Sequence, residues 1–285
     1  MTYIILDLEW NGVYTRKLKS YFNEIIEIGA VKIDSSLKQV DEFRAVIKPI
    51  FSRKLSHIVT NLTGIDEQEL KGGQPFSRVV SLLKRWISDP NAVVMTWSTT
   101  DLLVLIENCR YFFNSQRIPF LNYYVDLQNY CQTRLDYGDT QQLGLLKACE
   151  LLSIDTGDLE NHRALDDSIL TGKVFAGVYE PQSFALQVRP TDTEFYDRLT
   201  FKNVIISDIK DIHVNKSDLR FRCEKCNRRL RRTGQWRFSS RAFFADFICG
   251  GCGTKYAARV QVKLKYDGAQ TTRKLVQKPR EDCEK

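Results

Sequence analysis

No stretch of this 285-residue sequence approaches the ~20 consecutive apolar residues that a membrane helix requires. The N-terminus lacks a basic region leading into a long apolar run, because Asp7 interrupts the run that begins at Tyr3. Internal repeats and low-complexity tracts are also absent. These absences predict no membrane partner, no secretion and a cytoplasmic location. In such a reducing compartment the eight cysteines point to metal binding and buried thiols rather than disulfides. Histidine is scarce, at three residues, so a histidine standing beside other chemically active groups carries weight.

The length favours two domains. The net charge of +7 hides a split: residues 1–185 hold 19 Lys and Arg against 23 Asp and Glu, whereas residues 186–285 hold 23 against 12. The C-terminal third therefore carries the whole positive field, the electrostatic footprint of a polyanionic partner. Around 179–192 the apolar periodicity stops, two prolines appear and the charge changes sign. This predicts a boundary that separates a domain over 1–185 from a basic domain over 186–285.

Strand-like runs at 3–8, 24–33 and 41–49 read as an antiparallel meander. "AVVMTW" and "NYYVDL" follow as short strands, and helical patterns cover 76–87, the stretch after Thr99, 127–135, 141–152 and 163–179. A meander followed by alternating strands and helices describes an α/β fold with a mixed five-stranded sheet flanked by helices. Cys109, Cys131 and Cys149 fall in helical stretches and are expected to be buried thiols, and Cys283 lies in the tail.

Within "YIILDLEW" (3–10), Asp7 and Glu9 are two apart in a strand, so they project together, and their charges repel unless a cation compensates. A divalent ion held by oxygen ligands meets that need, although two solvated acids at a strand end is the simpler alternative. Asp101 follows "AVVMTW" and opens a helix, where an acid also suits the helix dipole. "NHRALDDS" (161–168) supplies His162 and, five residues later, Asp167 near a helix start.

"DLE" (7–9), the Asp101 of "WSTTDLLVL" and "HRALDD" (162–167) in this order resemble the DEDDh 3′-to-5′ exonucleases, the DnaQ-like branch of the ribonuclease H-like fold. "NEIIEIGAV" (23–31) and "LTGI" (62–65) extend the likeness, which runs from Tyr3 to about Tyr179 and is strongest toward the Eri and KapD-like exoribonuclease group. The resemblance implies that Asp7, Glu9 and Asp167 bind one Mg²⁺ or Mn²⁺, that Asp7 bridges to a second ion supported by Asp101, and that His162 is the general base. Two such ions ~3.5 to 4 Å apart clamp the attacking and leaving oxygens of an in-line displacement. An imidazole with an unperturbed pKa near ~6.5 suits proton removal at neutral pH. The implied product is a nucleoside 5′-monophosphate. Two positions depart from the family pattern: "WNG" (10–12) after the D-x-E, and Ser98 where a glycine is common. Trp10, beside the acids, either stacks on the terminal base or packs as a rim residue on the core.

"CEKC" (223–226) and "CGGC" (249–252) form C-x2-C-x22-C-x2-C, the pattern of a zinc ribbon in which Cys223, Cys226, Cys249 and Cys252 bind one structural Zn²⁺ with no open position. From Lys216 to Arg241 there are ten Lys and Arg against two acids, with Phe221, Trp236, Phe238, Phe243 and Phe244 in or beside the run. Such a mixture suits nucleic acid, with arginines on phosphates and rings on bases, while some of these rings must form the ribbon's own core. Arg228, Arg229, Arg231, Arg232, Trp236 and Arg237 are the candidate contacts. The expected protein is a metal-dependent 3′-to-5′ exonuclease with a β-rich zinc ribbon gripping single-stranded nucleic acid, RNA being slightly preferred. A DNA exonuclease of repair or proofreading type and a non-catalytic binding module are the alternatives.

Overall fold

A computed structural model describes residues 1–52, 54–138, 141–157 and 163–279. His162 and Cys283 therefore lie outside the described residues. Contacts divide the chain into two compact units, residues 1–199 and 200–285.

Alternating apolar residues build the first unit's sheet. β1 (Tyr3–Thr15) and β2 (Ser20–Ile33) form a long antiparallel hairpin, and β3 (Gln39–Val46) pairs with β2. Three helices follow, α1 (His57–Thr63), α2 (Glu67–Gly72) and α3 (Phe76–Ile87), the last burying Phe76, Val79, Val80, Leu83 and Ile87 at helical spacing. β4 (Val93–Thr96) lies parallel to β1, and α4 (Thr100–Phe113) leaves its carboxyl end with Thr99 at the N-cap position. β5 (Tyr123–Asp126) lies parallel to β4 and leads into α5 (Leu127–Arg134), α6 (Leu145–Leu151), α7 (Ala164–Val178) and α8 (Pro181–Ala185). β6 (Arg189–Pro190) and α9 (Thr193–Thr200) complete the sequence of elements.

The sheet order is β3-β2-β1-β4-β5-β6. It thus has six strands rather than the expected five, the addition being β6, a two-residue edge strand against β5. Two residues carry no readable alternation, and the missing N–H of Pro190 is tolerated at a sheet edge. Residues 186–199, which the charge split assigns to the basic part, pack with the first unit: Tyr196 is buried and its hydroxyl accepts the Ile118 N–H. Each face of the sheet covers one core. Ile4, Leu6 and Leu8 of β1 join the cluster with α3 and α4, while Tyr3 and Ile5 join the cluster with α5, α6 and α7. Cys109, Cys131 and Cys149 are buried free thiols, as their helical setting predicts.

The second unit is a sheet ordered β12-β11-β10-β8, formed by β10 (Ala242–Cys249), β11 (Lys255–Lys265), β12 (Gly268–Gln277) and β8 (Leu230–Arg232). β7 (Val204–Ile205) also pairs with β11, and β9 (Arg237–Ser239) with β10. One sheet face packs onto Ile206, Val214, Phe221 and Leu230. No described helix is long and apolar enough to cross a membrane.

Candidate active site

Asp7 and Glu9 sit in the middle of β1, not at its carboxyl end. The strand continues through "WNGVYT", past the apolar run at 3–8, because residues 10–15 pair with β2. The parallel neighbour β4 pairs only with Tyr3, Ile4 and Ile5, so the two acids still lie just beyond the carboxyl edge of the parallel segment. They share the face of Tyr3 and Ile5, on which α7 packs. A register shift follows at once: Glu9 pairs with Glu27, but Trp10 pairs with Ile25. The extra residue, Ile26, turns into a separate small cluster with Ile65 and Leu70.

The first turn of α7 brings Asp167 to this point. It approaches β2 closely because residue 29 is glycine: a Cβ there would stand 2.1 Å from the Ala164 carbonyl carbon. The Ser168 hydroxyl donates to the Gly29 carbonyl at 3.1 Å, and the Ala164 N–H donates to the Glu27 carboxylate at 3.2 Å. One ligating oxygen each from Asp7, Glu9 and Asp167 then lie within 4.8 Å of one another. Asp101 is not part of this close trio. It is buried at the start of α4, where the backbone N–H of Leu8 and its own N–H support its carboxylate.

Gathering these charges out of water is costly. Burial, then the charges of Asp101, Asp167, Glu9 and Glu27, raises the Asp7 pKa well above the carboxylate range. Burial and the charges of Asp167 and Glu27 push Glu9 up to about 8. Burial raises Asp101 as well, opposed by its two N–H donors. Three carboxylates this close are a donor set suited to a hard divalent ion.

Residues that sequence reasoning passed over hold the site in place. Glu27, fully buried opposite Glu9, accepts from Arg163 (2.8 Å) and Arg44 (2.7 Å), and Glu69 accepts from both arginines (2.7 and 3.0 Å). Alternating charges thus clamp the N-terminus of α7 to β2. In the hairpin extension, Asn11 and Glu24 are buried partners across the strands. The Glu24 carboxylate accepts the N–H groups of Ile50, Phe51 and Ser52, while Asn11 donates to the Ser52 hydroxyl and accepts the Ser56 N–H. "WNG" therefore pins the loop ahead of α1. Trp10 is partly buried against the α3/α4 core. The signal in the sequence for these roles was the place of Arg163 inside "H-x-A" and of Glu27 within "NEIIEIGAV".

In the second unit the four expected cysteines converge, with Sγ atoms all within 4.8 Å. The two C-x2-C turns are built alike. The residue after each second cysteine, Asn227 (φ 55°) or Gly253 (φ 70°), is left-handed and donates its N–H to the carbonyl of the first cysteine. The Tyr256 hydroxyl lies 3.3 Å from Cys223 Sγ and pulls that thiol down to about 6, and the Thr254 hydroxyl lowers Cys252 likewise. The cluster fits a four-thiolate zinc ribbon. The basic run is divided by its strands: Trp236 packs edge-on against Phe247 in the core, Leu230 is buried, and Arg228, Arg229, Arg231, Arg232 and Arg237 are exposed.

Residues 4–175 match the model of the RNase T family, described as exonuclease. The chain is 29% identical over 191 residues to a probable 3′-5′ exonuclease, KapD, of Bacillus subtilis (strain 168), spanning 66% of this chain and 89% of that protein. It is 30% identical over 193 residues to ERI1 exoribonuclease 2 of Homo sapiens, but this covers only 26% of that protein. Among solved structures, the nuclease domain of 3′hExo, a DEDDh family member bound to rAMP, superposes with a TM-score of 0.56 at 20% identity, over 67% of this chain and 96% of that one.

Proposed function

Because the chain belongs to the RNase T family of exonucleases, we propose that it removes nucleotides from the 3′ end of single-stranded nucleic acid, releasing nucleoside 5′-monophosphates. The observation that carries this reading is the convergence of Asp7, Glu9 and Asp167 beside buried Asp101. These four carboxylates would hold two Mg²⁺ or Mn²⁺ ions, which when bound supply charge stabilisation for an in-line phosphoryl displacement. The chain's own residues do the rest. Glu27, Arg163 and Gly29 fix the α7 turn that carries Asp167, and the Glu24 and Asn11 pins fix the neighbouring loop. His162 is proposed as the base that takes the proton from the attacking water. Trp10, next along the strand from Glu9, rests partly buried on the α3/α4 core, which supports its reading as a rim residue over that of a ring stacked on the terminal base. In the second unit, Cys223, Cys226, Cys249 and Cys252 would hold one structural Zn²⁺, and the basic surface would grip the strand.

RNA is the preferred substrate in this proposal, supported by the likeness of the N-terminal half to exoribonucleases. The test uses 5′-labelled single-stranded RNA and DNA of matched sequence with Mn²⁺ or Mg²⁺, comparing wild type with Asp7→Ala. A ladder shortening from the 3′ end with wild type alone is the expected result, faster on RNA. Shortening of neither strand would overturn the assignment; faster loss of DNA would overturn the preference.

A further inference from the structure

Nucleic-acid binding by the second unit need not follow the linear run of arginines, because strand alternation divides that run between two faces. β10 and β11 turn Phe243, Ala245, Phe247, Tyr256, Ala258 and Val260 inward. The opposite face has no helix of this unit over it among the described residues. On that face, pairing across four strands places Arg237, Phe244, Arg259 and Lys274 in one transverse row. Phe244 is half-buried, with Arg237 and Arg259 as its register partners on the two neighbouring strands. Next to this row, Ala257 and Val276 pair as an apolar step. A depression of about 470 Å³ opens there, lined by Arg237, Phe244, Ala257 and Lys278 among others. Arg231 and Lys263 extend the cationic rim on either side.

The charge on this face is one-sided. Asp246 is its single acid among the described strand residues, and Lys278 pairs with it at 2.8 Å. Arg231, Arg237, Arg259, Lys263 and Lys274 have no acidic partner among the described residues. A solvated face of a small β unit has no need for an aromatic ring framed by cations. A polyanion that also carries flat apolar rings meets both features, its phosphates on the cations and a base on the ring.

We propose that this open sheet face, centred on the row Arg237, Phe244, Arg259 and Lys274, is a sequence-tolerant docking platform for single-stranded nucleic acid. The proposal deepens the nuclease reading and rests on it for the identity of the occupant. Its test uses the full chain carrying Asp7→Ala, so that the probe survives, and a fluorescein-labelled oligouridine 20-mer followed by anisotropy across a salt series. Adding Arg259→Glu with Lys274→Glu should weaken binding by at least tenfold and reduce the salt slope by about 1.4, or ~0.7 for each lost phosphate contact on a single strand. Adding Phe244→Leu should weaken binding by roughly five- to tenfold with the slope unchanged. Circular dichroism and zinc content verify folding in each case. Parental affinity and slope in both variants would overturn the platform, as would equal displacement of the probe by polyglutamate together with no effect of Phe244→Leu.

Hydrolysis of thymidine 5′-monophosphate p-nitrophenyl ester with Mn²⁺, by chains with Asp7 intact, separates the two ideas. Hydrolysis at wild-type rate in a platform variant that still binds the 20-mer normally would leave the nuclease and remove the platform. Absence of hydrolysis alongside platform-dependent binding would remove the nuclease and leave the platform.

Discussion

Replacing Glu9 by glutamine should make the metal-free protein more stable while abolishing turnover, because the charges that serve the chemistry oppose the fold. The Glu9 carboxyl is pushed from 4.5 up to about 8 by burial and by Asp167, Glu27 and Asp101. At pH 7 the unfolded chain holds this group ionised, whereas the folded chain keeps it protonated, so folding must take up a proton. The resulting loss of stability begins near pH 4.5, grows as pH rises, and levels off above about 8. Between 4.5 and 7 it amounts to about 2.5 pH units at 1.36 kcal/mol each, or about 3 kcal/mol. Glutamine, which carries no charge to lose, removes that cost. For a unit of this size, with 199 residues, the melting temperature should rise by roughly 6–12 °C at pH 7. The gain should shrink to about 1 kcal/mol at pH 5.5 by the same arithmetic. The assay is scanning calorimetry of protein dialysed free of Mg²⁺ and Mn²⁺ without chelator, which leaves the cysteine site alone. Mn²⁺ should raise the wild-type melting temperature at pH 7 and move the variant much less. A Glu9→Gln protein that melts below wild type at pH 7, or a wild type indifferent to Mn²⁺, would refute the reasoning.

Arg163→Ala leaves the buried Glu27 with Arg44 as its one cationic partner among the described residues. It should cost about 3 kcal/mol in denaturant unfolding and reduce kcat at least tenfold, with 20-mer affinity unchanged. Gly29→Ala drives a methyl group into the Ala164 backbone and should displace the turn carrying Asp167; about 3 kcal/mol of lost stability and near-complete loss of hydrolysis are expected. Cys226→Ser should release zinc, measured by metal analysis, and unfold the second unit, while hydrolysis of the p-nitrophenyl ester persists. Tyr256→Phe removes the O–H that faces Cys223 Sγ and should lower zinc affinity roughly 10- to 100-fold in a chelator competition.

Much of the site was legible because its parts obey local rules. Asp7 and Glu9 share a face through the two-residue strand period, and the four cysteines show their pairing in their spacing. The order of strands and helices likewise follows from apolar periodicity. The extent of β1 was not legible, since the apolar run that marks the strand stops at Leu8, and only the burial of Asn11 and Glu24 across the hairpin reveals that pairing continues. β6 escaped for a similar reason, as two residues hold no periodic signal.

The sequence by itself determined the candidate ligand types, their order along the chain, the spacing of the four cysteines and the excess of positive charge in the C-terminal third. Each of these is a property of single residues or short intervals, so composition and periodicity suffice to state it. Only the tertiary structure decided how far the carboxylates approach one another, that Asp101 stands apart from the closest three, and that Glu27, Arg44, Glu69 and Arg163 clamp the α7 turn. It also decided which basic residues share a face, bringing Arg259 and Lys274 beside Arg237 and Phe244 from strands distant in sequence. The reason is physical: repulsion, burial and register act between groups far apart along the chain, and their strength depends on distances that exist only once the sheet has paired and the helix has packed against it.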